Sequence, residues 1–255
     1  MIAGPHNVRS KSPRVLLARF YAIALYLHVL MQASIRSKSA RLYAVVTADV
    51  VGSRRIRDFR KKRDSILRAI SETQMKRHLI LSPYAITVWD EFQAIMTRPD
   101  LFPAAVLDLR RHFYPMQLRI GIGIGQVTDP RKSPINQFAG GIAFERARAA
   151  MDRLKVAKAK KYAALTAVDS GDRLVDLAAN AIYQLQDTLN RDISPAQWKT
   201  ATWVARLGSQ EQAAKKLRVN ISTVSRTLRR ARYWEIEATS KALAQIVQEC
   251  FGLAH

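Results

Sequence analysis

The feature that most restricts the fold of this chain is a change of pattern near Gly171. Before it, short runs rich in β-branched residues alternate with helical stretches. After it, the periodicity is helical only. Leu42 to Val50 is an apolar run ending at Gly52-Ser53, which reads as a buried strand and a tight loop. Arg57 to Arg77 carries Ile66, Leu67, Ile70 and Met75 at helical spacing. Tyr84–Trp89 and Phe92–Met96 flank Asp90-Glu91, a hairpin with two acids at its tip. Pro99 to Phe113 predicts a second helix and Gln117 to Val127 a strand. Gly140-Gly141 opens a helix running to about Leu154, and Tyr162 to Val168 predicts a last strand.

Strand, helix, two strands, helix, strand is the order of a ferredoxin-like, or palm, fold. The expected class is therefore α+β: a palm domain over 41–170, a connecting helix over 171–193 and an all-α domain over 194–255. Residues 1–40 form an N-terminal extension in this scheme.

Charge narrows the partners. Forty-two Lys and Arg against twenty Asp and Glu leave a net charge of +22, a field that captures polyanions. Nucleic acid leads, with a nucleotide or an acidic membrane surface as the alternatives. The single cysteine, Cys250, excludes an internal disulfide framework, no Cys/His cluster has zinc-ligand spacing, and a reducing cytoplasm fits. Val15 to Ala33 is largely apolar and follows Arg9, Lys11 and Arg14, the outline of a signal peptide or anchor. Arg19 and His28 interrupt it, leaving less than the ~20 apolar residues that a spanning helix needs. A helix packed on the domain, or an upstream extension with Met31 as the true start, competes with the anchor. A membrane partner is not expected.

Ser194 to Trp234 has the parts of a helix-turn-helix. Trp198, Ala201, Val204 and Leu207 give one helix face, ended by Gly208 and opened by a Ser194 cap with Pro195 in the first turn. Ser209 to Gln212 caps the next helix, carried on by Ala213, Ala214 and Leu217, and Arg218-Val219-Asn220 is a turn. The last helix, Ile221 to Tyr233, turns Ile221, Val224, Leu228 and Ala231 inward. It leaves Ser222, Thr223, Ser225, Arg226, Arg229 and Arg230 as candidate DNA contacts, hydroxyls and guanidinium groups suited to base edges and phosphates. The segment resembles the helix-turn-helix that ends sigma-factor-like and LuxR-like regulators. A three-helix bundle making protein contacts, its basic residues a solvated face, is the competing reading.

Asp49 ends the first strand, and in palm order that strand lies beside the Asp90-Glu91 hairpin. Carboxylates brought together there hold a divalent metal, Mg²⁺ or Mn²⁺, since hard cations take oxygen ligands and bridge substrate phosphates. Asp49, Asp90 and Glu91 are the candidate metal ligands. Gly52 and Ser53 would offer backbone N–H groups to a nucleoside triphosphate, with Arg54 and Arg55, and Lys61 and Lys62 nearby, neutralising it. Acids at strand ends and hairpin tips are also common simply because such positions are wet. Gly121, Gly123 and Gly125 alternate within a β pattern, which points to close packing or a kinked strand rather than a dinucleotide loop.

Ala48 to Arg54, then Asp90-Glu91-Phe92-Gln93, then Arg119 to Gly125, then Gly140 to Arg148 resemble the SatD family, in order, over about Arg41 to Trp234. The resemblance implies a palm related to nucleotidyl cyclases and GGDEF enzymes, joined to a C-terminal helix-turn-helix. It makes Asp49 and Asp90 the first and second metal carboxylates, and matches Glu91 and Phe92 to the last two letters of GGDEF. Trp89 departs from the glycine that the family has before Asp-Glu. Glycine there permits φ > 0 and close approach of a nucleotide, whereas Trp blocks the pocket or stacks on a base. The reading is of a transcription regulator, a DNA-binding protein whose palm binds a nucleotide with metal. The rivals are an active nucleotidyl cyclase or nucleotidyltransferase, and a degenerate palm that mediates homodimerisation.

Overall fold

An apolar strand whose eight residues are all buried, β1 (Tyr43–Val50), runs through the middle of the protein. The computed structural model describes residues 41–132, 134–156 and 164–253. The 1–40 extension and its anchor reading, and Tyr162 and Ala163 at the start of the last expected strand, lie outside the described residues. Among those described, no helix is long and apolar enough to cross a membrane.

β1 pairs antiparallel with β3 (Glu91–Ile95) on one side and with β4 (Leu118–Gly125) on the other. Adding β2 (Ala85–Val88) and β5 (Thr166–Asp169) gives a five-stranded mixed sheet in the order β2-β3-β1-β4-β5, parallel only between β4 and β5. The fold is α+β. Both faces of β1 are covered, which is why it reads as a continuous apolar run rather than an alternating one. Ala44, Val46, Ala48 and Val50 join Ile120, Ile122 and Ile124 in the main core. Leu67 and Ile70 of α1 (Phe59–Lys76), with Val106 and Leu109 of α2 (Phe102–Phe113), pack there too. A short helix, α3, spans Ile135–Phe138. On the opposite face Tyr43 and Val45 meet Ala143 and Ala147 of α4 (Ile142–Val156).

The alternating glycines of β4 set that second layer. A Cβ at Gly121 would stand 2.6 Å from the carbonyl oxygen of Ala147, and one at Gly123 would overlap that of Ala143. Without side chains at these positions α4 lies directly on the strand, so close packing is their role.

The C-terminal part is helical. α5 (Arg173–Arg191) is capped by Asp172, whose side chain accepts from Leu174 N and Val175 N, and it buries Val175, Ala179 and Tyr183 in the main core. Ser194 and Gln197 form a capping box at the start of α6 (Pro195–Leu207), which ends at Gly208 with φ 67°. Ser209 caps α7 (Gln210–Leu217), and Asn220 caps α8 (Ile221–Arg230). Here the structure differs from the sequence expectation. The helix stops at Arg230, Arg232 takes φ 52°, and a separate helix α9 (Tyr233–Phe251) follows. Ile221 is also half exposed rather than inward, at the first position of its helix.

Ala201, Val204, Ala213, Ala214, Val224, Leu228 and Tyr233 form a second small core. Leu243 and Val247 of α9 return to the main one, so residues from Leu42 onward form one compact unit. Arg110 of α2 donates to Asp187 of α5 and to Thr166 of β5, tying sheet and helices by a buried ion pair.

Candidate functional site

The sequence pairs Asp49 with Asp90, but in the structure the acid facing Asp49 across the strands is Glu91, and Asp90 stands in the turn before it. Asp49 and Glu91 are cross-strand partners in the β1–β3 register, so both project to the face covered by α4. Asp49 also pairs in register with Arg119 of β4, which donates Nε to Oδ1 at 2.8 Å and Nη2 to Oδ2 at 2.9 Å. Glu91 accepts from Arg148 of α4 in the same bidentate way, at 2.7 and 2.6 Å, and from Thr87 Oγ1 at 3.0 Å. Lys155 stands 3.8 Å from Glu91 Oε2. Asp90, in the turn, accepts from the buried Ser53 hydroxyl at 2.6 Å.

These environments push the two carboxyls apart. Burial raises the pKa of Asp49 above the ordinary aspartate range, more than the Arg119 hydrogen bonds lower it, and the charge of Asp90 adds to the rise. Burial acts on Glu91 as well, but the Arg148 hydrogen bonds and charge outweigh it and leave its pKa lowered. Glu91 in turn raises the pKa of Arg148.

As arranged, the donors do not fit a resident divalent cation. Every carboxylate oxygen of Asp49 and Glu91 already faces a guanidinium, and a cation would have to displace both arginines. Among the described residues no three His, Cys, Asp or Glu side chains converge to hold a metal. The β1–α1 loop is open by comparison. Gly52 has φ 71° with nothing within 4 Å of where a Cβ would be, and Arg54 and Arg55 after it are exposed. Trp89 stacks on Phe59 with ring centroids 6.4 Å apart, and the Arg60 guanidinium lies 4.0 Å from its ring centroid. That ring therefore has neighbours on the α1 side of the hairpin tip.

The second candidate site is α8. Val224 and Leu228 are buried, and Ser222, Arg226, Arg229 and Arg230 are exposed, with Thr223 and Ser225 half-buried. Spacing of three and four puts Ser222, Arg226, Arg229 and Arg230 on one stripe. The Asn220 side chain accepts from Ser222 N at 2.9 Å and fixes the helix start. Beside it, Trp203 of α6 has Arg206 and Lys216 at 5.2 and 5.0 Å from its ring centroid. Residues 194–232 carry nine Lys and Arg against a single acid, Glu211.

A family model for SatD matches residues 43–231, which takes in the sheet, both carboxylate pairs and α8. The chain belongs to the SatD family. No curated protein matches it. Among solved structures it is similar to the crystal structure of a regulator of polyketide synthase expression from Bifidobacterium adolescentis, with 17% identity over 86% of each chain and a TM-score of 0.29.

Within this SatD-family chain the structure brings Asp49, Asp90 and Glu91 to one sheet end, with Ser53 bonded to Asp90, while Arg54 and Arg55 stand in solvent. Sequence reasoning missed Arg119, Arg148 and Lys155 as members of the cluster. Arg119 was legible in part, since it falls two residues before Gly121 and therefore on the same face of β4.

Proposed function

We propose that this chain is a DNA-binding regulator in which α7 and α8 act as a helix-turn-helix, with α8 reading the major groove. The observation that supports this most is the division of α8. Its buried side is fixed by Val224 and Leu228, and its solvent side carries Ser222, Arg226, Arg229 and Arg230 free of any acid. A stripe of arginines and a hydroxyl on a rigid helix suits both base edges and phosphates. The Trp203, Arg206 and Lys216 cluster adds positive charge at the flank. The test is fluorescence anisotropy on duplex DNA at several salt concentrations. Binding should fall steeply with salt, and Arg226→Ala with Arg229→Ala and Arg230→Ala should remove most of it. Undiminished binding by the triple variant would move the contact elsewhere.

A second reading concerns the α+β part, taken as a palm of the nucleotidyl cyclase kind. The open Gly52 loop beside Arg54 and Arg55 favours a nucleoside triphosphate there, its phosphates competing with Asp49 and Glu91 for Arg119 and Arg148. Metal would enter with the nucleotide, since the resident carboxylates are engaged. The arginine-locked pairs favour a sensor or a structural palm over one that turns over. Incubating the protein with each ribonucleoside triphosphate and Mg²⁺ or Mn²⁺ tests this through melting temperature and product analysis. A raised melting temperature without product supports a sensor, a cyclic or linked nucleotide makes it an enzyme, and neither leaves a degenerate palm.

A further inference from the structure

α8 opens on an apolar side chain that its own fold does not use. Ile221, the first residue of the helix, is 50% exposed, and Val219, just before the Asn220 cap, is 43% exposed. Neither belongs to the small core that Val224 and Leu228 form with α6 and α7, nor packs against it. A lone exposed isoleucine needs no explanation on an ordinary surface. This one stands among charges of one sign. From Ser209 to Arg230 there are six Lys and Arg against Glu211 alone, and Lys215 already engages Glu211 at 2.8 Å.

Charge and size together restrict what covers the pair. Another copy of this chain would set basic residues against basic residues. A protein partner of the usual kind covers about 800 Å² per side, many times what two side chains offer. A bilayer surface holds a helix by a broad apolar face, and α8 carries Ser222, Arg226, Arg229 and Arg230 on its exposed side instead. What fits is a polyanion that presents one small apolar group amid its phosphates. Duplex DNA does so, because each thymine shows its 5-methyl group in the major groove, in reach of an apolar side chain. Duplex RNA does not. Its uracil lacks the methyl group, and side chains cannot read its deep, narrow major groove.

The position on the helix agrees. In a helix-turn-helix the N-terminal residues of the second helix reach base edges. Ile221 and Ser222 occupy that end, which the Asn220 side chain fixes by accepting from Ser222 N at 2.9 Å. Arg226 lies five residues further on, about 7.5 Å along the axis, or about two base-pair steps of 3.4 Å. A guanidinium there is suited to guanine through O6 and N7. We infer that Ile221 reads the 5-methyl group of a thymine lying within about two base pairs of the guanine read by Arg226. This rests on the reading of α8 as a recognition helix, and adds to it a base that the helix selects.

The experiment takes a duplex recovered by selection from a random library and remakes it with deoxyuridine in place of each thymine in turn. That exchange removes one methyl group and leaves every hydrogen-bonding group in place. Fluorescence anisotropy of the full chain at one fixed salt concentration reads the affinity. The wild type should lose about fourfold at a thymine near the guanine contact, the worth of one buried methyl group. Ile221→Ser should lose about the same on the thymine duplex and be indifferent to deoxyuridine, so that the two losses do not add. Ile221→Val keeps a branched apolar side chain at the helix start and should retain most of the deoxyuridine penalty, which keeps the test open if serine disturbs the cap. A wild type indifferent to deoxyuridine everywhere, a selected duplex with no thymine near that guanine, or a penalty that persists in Ile221→Ser would overturn the inference. Where the wild type still prefers the selected duplex, those outcomes leave the DNA reading standing. No preference at all overturns both.

Discussion

Arg119 grips Asp49 across the β1–β4 pair with both of its forward nitrogens, at 2.8 and 2.9 Å, and by doing so occupies the carboxylate that sequence order assigns to a metal. The same relationship recurs between Arg148 and Glu91, so the sheet end is an ion-pair network rather than an open acidic site.

The network predicts an asymmetric response to mutation. Arg119→Met leaves Asp49, with only 6% of its side chain exposed, charged and unpaired, and should cost roughly 3–5 kcal/mol. Combining it with Asp49→Asn removes the stranded charge and should recover most of that loss. Chemical denaturation of the two single variants and the double variant measures the coupling, and strict additivity would show that the pair acts independently.

The opposite shifts of Asp49 and Glu91 give opposite pH dependences. Glu91 has a lowered pKa in the folded state, so its contribution is present above the unfolded value of about 4.3 and is lost as pH falls through the folded one. Asp49 has a raised folded pKa, so the folded state binds its proton more readily and stability falls as pH rises from the unfolded value to the folded one. Glu91→Gln should therefore flatten the acid-side loss of stability, and Asp49→Asn should steepen it. Urea unfolding at fixed pH values from about 3 to 6 reads both slopes.

Close packing of β4 on α4 predicts that the glycines are not interchangeable. Gly123→Ala drives a methyl into the Ala143 carbonyl and should destabilise by roughly 1–3 kcal/mol. Gly140→Ala meets nothing within 4 Å and has no left-handed backbone to strain, so its effect should stay within about 0.5 kcal/mol. Thermal unfolding of the two variants is the comparison, and equal melting temperatures would contradict the packing argument.

On the DNA side, the arginines of α8 should separate by role. Arg230 is last in its helix and exposed, and in the proposed complex it would meet phosphate. Arg230→Ala should weaken every duplex alike and reduce the slope of log affinity against log salt by about 1. A change in base preference from this variant would reassign Arg230 to base reading.

What could be read in advance was local. β1 is a continuous apolar run, and Ser194, Gly208, Ser209 and Asn220 mark helix ends through their own side chains or backbone, so the helices between them were placed from sequence. That Asp49 lies beside the Asp90-Glu91 hairpin follows from strand order, but that Glu91 rather than Asp90 is its cross-strand partner comes only from the register. Their arginine partners did not, because Arg119 and Arg148 lie 70 and 57 residues away and only the register and the helix docking bring them in. The end of α8 was also hidden. Arg232 enters the left-handed region with neither Gly nor Pro to announce it, and Tyr233 then starts a helix whose apolar face returns to the main core. Trp89 was legible as an oddity but not as a partner of Phe59 and Arg60.

The central claim, sequence-selective DNA recognition by α8, is tested most directly by one titration. A duplex recovered by selection from a random library and an unselected duplex are bound to wild-type protein and to Arg226→Ala at one fixed salt concentration. The account predicts that the wild type prefers the selected duplex by about 10³-fold or more and that Arg226→Ala loses roughly 1–3 kcal/mol on it with little change on the unselected one. Equal affinity of the wild type for both duplexes, or an equal loss on both from Arg226→Ala, would contradict it.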